Sequence, residues 1–187
     1  YEYYERKNFK ELMIRNYFFI FSIINILSCS EDVKKNFPSS QGLPDQESWG
    51  VTIALTDKGL IRAKVQSGHL EKFNEKEHII LDNTVFVDFY DSKENHISTL
   101  NSDKAEINER SNDMLAIGKV IAKSDSGITL FSKTLKWVSK KEKFFTEDSL
   151  MITTLNGDTL YGVGFESDAD LKNWQILKPS GISGEEI

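Results

Sequence analysis

The chain has 187 residues, 39% hydrophobic and 28% charged, with 29 acidic against 23 basic side chains and a net charge of −6. That length supports one domain with a real core, and the acidic balance excludes nucleic acid as a partner, because phosphate binding needs clustered Lys or Arg. Pairs such as Lys34-Lys35 and Lys140-Lys141 read as solvated turn charges, and the lone Cys29 excludes an intrachain disulfide.

Residues 1–12 do not begin with methionine and lack signal character, so they are expected to be an over-extended start with Met13 as the true one. Residues 13–28 read as a signal peptide: Arg15, the apolar run 17–27, and the small Ser28 before a cut point. The run is well short of the ~20 residues a spanning helix needs. Ile26-Leu27-Ser28-Cys29 resembles a bacterial lipobox, which makes Cys29 the expected lipid-attachment site. Residues 29–48, rich in Ser, Gln, Gly, Pro and charge, have the composition of a tether. Together these segments describe a domain exported and held at a membrane surface.

From 49 to 178 the chain repeats itself at intervals of 35, 30 and 30 residues. Leu70, Ala105, Leu135 and Phe165 are equivalent points; five residues earlier stand Val65, Leu100, Leu130 and Leu160, all aliphatic. Nine residues later stand Ile79, Met114, Phe144 and Trp174; fifteen later Val85, Val120 and Leu150; seventeen later Val87, Ala122 and Ile152. The three later offsets share one parity and so point to one face of an extended chain. The two earlier ones differ in parity, which predicts a bulge or bend in every first strand. Stretches such as Thr84–Phe89 and Ser149–Leu155 are β-branched and aromatic, and Asp91–Asn95, Ser124–Gly127 and Asn156-Gly157-Asp158 are turn signals. Prolines occur only at 38, 44 and 179, outside the repeats. A helix fits only locally, at Ser102–Arg110. A strand–turn–strand unit of this size cannot close its own apolar face, so stacked units and an elongated all-β domain are predicted. Residues 179–187 form a C-terminal tail.

Nothing in the chain has the spacing of a catalytic site. His69, His78 and His96 lack metal-ligand spacing, and the carboxylate pair Asp168 and Asp170 reads as a solvated turn with Asx-type hydrogen bonds. Gly162-Val-Gly164 lies inside a strand pattern and opens no helix, so it is no phosphate loop. The expectation is a non-enzyme without metal or cofactor.

The last repeat, Leu160-Tyr-Gly162-Val-Gly164-Phe165-Glu-Ser-Asp168-Ala-Asp170-Leu171 followed by Trp174-Gln-Ile176, resembles the C-terminal signature of the LptC family. Ala63–Leu70 and Ser102–Ile107 are similar to that family's earlier units, so the resemblance covers about residues 49–178. It implies a twisted, V-shaped β-jellyroll in the periplasm of a Gram-negative bacterium, tethered to the inner membrane. The implied role is to carry lipopolysaccharide from the export transporter's periplasmic domains to an LptA-like bridge. Lipid-groove candidates are Val65, Leu70, Val85, Val87, Leu100, Ala105, Val120, Ala122, Leu130, Leu135, Leu150, Ile152 and Phe165. Leu160, Gly162, Gly164, Trp174 and Ile176 are candidates for a docking edge that adds a partner's strand. The departure from the family is the lipobox, where many members carry a spanning helix. An alternative stays open: a β-rich surface lipoprotein that binds a sugar or protein and keeps a closed core.

Overall fold

A computed structural model describes residues 42–180, so the signal segment, Cys29 and the first part of the tether lie outside the described residues. Ten antiparallel strands follow one another: β1 (Gln46–Asp57), β2 (Leu60–Phe73), β3 (His78–Tyr90), β4 (His96–Ser102), β5 (Lys104–Asn108), β6 (Asp113–Ser124), β7 (Thr129–Val138), β8 (Lys143–Thr153), β9 (Thr159–Asp168) and β10 (Gln175–Ser180). A single 3₁₀ turn, Ser139–Lys141, joins β7 to β8. Neighbours in sequence are neighbours in the sheet, except that β4 and β5 together take the place of one strand between β3 and β6. Strand β1 takes Gln46–Ser48 from the stretch read as tether, and β10 runs to Ser180, into the stretch read as tail. Pro179 sits in β10, an edge strand, where a missing N–H is tolerated. Among the described residues no helix is long and apolar enough to cross a membrane.

The parity break in the repeat is a bend. Register shifts fall between Ser67 and His69, between Ser132 and Lys136, and at the β4–β5 break around Asp103. In β9 the corresponding point is Gly164, at φ +77°. Opposite them β6 and β8 shift too, between Ile117 and Val120 and between Thr146 and Ser149. At the first bend a Cβ on Gly68 would stand 2.6 Å from the Asn83 carbonyl oxygen, so only glycine lets β2 cross β3 there. The bends divide every long strand into two halves. One layer holds β4 with Val85–Tyr90, Val120–Ser124, Thr129–Ser132 and Leu150–Thr153. The other holds β5 with His78–Leu81, Asp113–Ile117, Lys136–Val138 and Lys143–Thr146.

The layers close on each other. Phe89 of the first lies with its ring centroid 5.0 Å from Trp137 and 5.0 Å from Phe144 of the second, and all three are buried. Ser98 Oγ donates to the Ala169 carbonyl oxygen at 2.6 Å across the same gap. The inner strands bury alternate residues between the layers, as β6 shows with Met114, Ala116, Val120, Ala122 and Ser124.

The local helix expected at Ser102–Arg110 is not there. That stretch is the end of β4, the bend and β5, followed by a turn. Ala105 and Ile107 alternate inward, pairing with Leu81 and Ile79 on one side and Ala116 and Met114 on the other. Two flanking strands with open hydrogen-bonding groups override a short stretch of helical propensity.

Candidate functional site

Each groove candidate projects from a strand into the space between the layers, because the bends hold inward parity on both sides. Val65 and Leu70 come from β2, Val85 and Val87 from β3, Leu100 from β4 and Ala105 from β5. Val120 and Ala122 come from β6, Leu130 and Leu135 from β7, Leu150 and Ile152 from β8, and Phe165 from β9. All thirteen belong to one continuous apolar cluster, and none is more than 6% exposed. The interior is therefore a filled core, and a long apolar guest enters only if side chains move aside or the layers part.

The docking-edge candidates separate. Strand β10 is the outermost strand on that side, with five register pairs to β9 from Glu166↔Gln175 to Tyr161↔Ser180. Leu160 lies just beyond the last of these pairs and is 40% exposed. Gly162 and Gly164 are on β9, one strand in from the edge. A Cβ on Gly162 would run into Ile176 Cγ2 and come within 2.8 Å of the Lys178 carbonyl oxygen; one on Gly164 would stand 3.0 Å from Leu177. These glycines make room for β10 rather than for an incoming strand. Trp174 and Ile176 are half-buried and pack on the core, pinning β10 down. The opposite edge is β1, which the repeat pattern did not single out.

The polar clusters explain local order. Asp168 accepts the backbone N–H groups of Lys172 and Asn173 and the Asn173 side-chain amide, as an Asx-rich turn does. Burial works against the Asp168 charge, yet these donors hold its carboxyl below the usual carboxylate range. His69, which sequence spacing left without a partner, lies between Glu47 Oε1 at 2.9 Å and Asp82 Oδ1 at 3.0 Å, so β1, β2 and β3 meet on one ring. The hydrogen bond to Glu47, opposed by burial and helped by Asp82, raises the imidazole above its usual 6.5. Glu47, His69 and Glu71 bring their ligand atoms within 4.8 Å. Both ring nitrogens of His69 already face carboxylates, which favours the doubly protonated form and makes it a poor metal ligand. Partners 22 and 13 residues away in sequence gave no local signal.

The family model for LptC-related lipopolysaccharide-assembly proteins matches residues 50–180. Among solved structures, the chain is similar to that of LptH from Pseudomonas aeruginosa, described as the LptA-homologous periplasmic component of the lipopolysaccharide transport device. The TM-score is 0.51 at 12% identity, covering 67% of this chain and 86% of that one, which is a likeness of fold. No curated protein matches the chain. The chain belongs to the LptC-related lipopolysaccharide-assembly family and is, by that membership, a non-enzymatic periplasmic component of lipopolysaccharide transport.

Proposed function

We propose that this chain relays lipopolysaccharide from the inner-membrane export transporter to an LptA-like bridge, with acyl chains held between its two layers. What carries the reading is the continuous apolar surface built by the thirteen inward residues from eight strands, inside a sheet whose end strands, β1 and β10, have no further partner strand among the described residues. Acyl chains need such shielding, since each methylene exposed to water costs ~0.8 kcal/mol relative to burial. Open edges allow neighbouring jellyrolls to join by main-chain pairing, so that apolar interiors run on from one to the next. A lipid on Cys29 and the tether behind it would hold the domain at the inner membrane.

The competing reading, a surface lipoprotein with a closed core that binds a sugar or protein, is favoured by one observation: the interior is fully packed. Photocrosslinkers on the two edges separate the readings. At Thr52 on β1 the relay predicts capture of the transporter's periplasmic domains, and at Leu177 on β10 capture of the LptA-like bridge. Capture of neither partner at either edge contradicts the relay. Cys29→Ala is expected to abolish labelling by a fatty-acid analogue and leave an unprocessed precursor; persistent labelling removes the anchor from the account.

A further inference from the structure

The tips of the strands meet along a seam where the two layers close. Three polar contacts span it: Asn112 Nδ2 to the Thr56 carbonyl oxygen at 3.3 Å, Ser98 Oγ to the Ala169 carbonyl oxygen at 2.6 Å, and Arg62 Nη2 to Glu142 Oε1 at 2.5 Å. Arg62 stands out among these groups. It is only 7% exposed, on a strand whose next inward neighbours are Ala63 and Val65 at 0%. Its Nε has no hydrogen-bond partner, the single such buried side-chain atom among the described residues. A guanidinium presents Nε–H and Nη2–H side by side as a fork that fits a carboxylate or phosphate bidentately. Here the fork is half used.

Its one partner is weakly placed. Glu142 is half-exposed, sits at φ +53° after the 3₁₀ turn, and shares that turn with Lys140 and Lys141. That backbone is set by the turn itself, through the Glu142 N–H bond to the Ser139 carbonyl oxygen, so the carboxylate can leave Arg62 without the turn unfolding. The aromatic cluster is close in the fold: Ala63, next to Arg62, pairs with Phe89, and Phe144 follows Glu142 by two residues. A buried cation held by one half-exposed carboxylate is a place where another anion can exchange in.

We propose that the seam is the mouth of the interior and that Arg62 is its anion-binding group. The phosphate of an acylated amphiphile takes both N–H groups of the fork, displaces Glu142, and frees the layers to part for the acyl chains. This rests on the carrier reading and adds to it the point of entry and the group that recognises the headgroup.

The test uses the purified full chain in detergent with a photocrosslinker at Ile152. The probes are lipid A bearing phosphate and the same lipid after phosphatase treatment. The parent is expected to capture the phosphorylated form about tenfold more efficiently, the worth of a charge-assisted hydrogen bond. Arg62→Met is expected to lose that preference, and Glu142→Gln to raise capture of both forms. Arg62→Lys keeps the charge without the fork and serves where Arg62→Met does not fold by circular dichroism; it is expected to lose most of the preference. Equal capture of both lipids by the parent, or an undiminished preference in the Arg62 variants, overturns the anion site while the carrier stands. Failure of every variant to capture either lipid overturns the carrier reading itself.

Discussion

Strand β1 offers twelve residues along one end of the sheet, and β10 offers six along the other. β1 is held to β2 by eleven register pairs, skipping Gly50, and is clasped by the Glu47–His69–Asp82 cluster with Trp49 against the His69 ring at 5.2 Å. β10 has five pairs and, among the described residues, no such clasp; it is fixed from below, by Ile176 and Trp174 on the core and by two glycines that make room for it. At β1 polar contacts and a long ladder add to the packing of Val51, Ile53 and Leu55 on the core, whereas β10 relies on packing with a short ladder. The two end strands are thus held against fraying by different balances of force.

Substitutions separate those forces. The largest effect is expected from Phe144→Ala, which empties a fully buried ring site shared by both layers. A loss of about 3–5 kcal/mol is expected in urea unfolding, with both edges losing amide protection together. Next comes Gly162→Val, whose side chain has no room beneath β10. A cost of about 1–3 kcal/mol is expected, with hydrogen exchange rising in β10 and β9 while β1 is unchanged. Gly50→Ala is its counterpart on the other edge. Nothing lies within 4 Å of a Cβ there, so only the φ of +60° opposes it, at about 1 kcal/mol. If Gly50→Ala costs as much as Gly162→Val, the contrast between the edges fails.

The smallest effect is expected from the clasp. His69 is raised above 6.5 in the folded state, so its stabilising charge is fully present below the unfolded value and is lost as pH rises through the folded one. The stability difference between the parent and His69→Gln should therefore be larger near pH ~5.5 than near pH ~8. A difference that is flat with pH, or that grows toward alkaline pH, shows that the ring acts only through packing.

Much of this fold is legible in the repeats. The shared parity of Val85, Val87, Val120, Ala122, Leu150 and Ile152 marks one face, and the structure puts all six in one core. The parity break between Val65 and Leu70, and at its three equivalents, marks the bends. Periodicity says nothing about partners across the gap between layers, so Arg62 with Glu142, 80 residues apart in sequence, left no trace in the pattern. Ser102–Arg110 was misread because a five-residue strand after a bend is too short to show period two against local helical propensity. The docking-edge candidates spread over β9 and β10: the last unit reads as ending near Ile176, but Gln-Ile-Leu-Lys-Pro-Ser has weak alternation and a proline, so the extension of β10 to Ser180 was not legible.

The central claim is that the space between the layers receives acyl chains, and a photocrosslinker scan in living cells tests it most directly. Crosslinkers at Val85, Val120, Leu130 and Ile152, all buried between the layers, are to be compared with ones at the exposed Glu75 and Lys133. The account predicts lipopolysaccharide adducts at the four inward positions and none at the two outward ones. Adducts of equal strength at both sets, or at neither, contradict it.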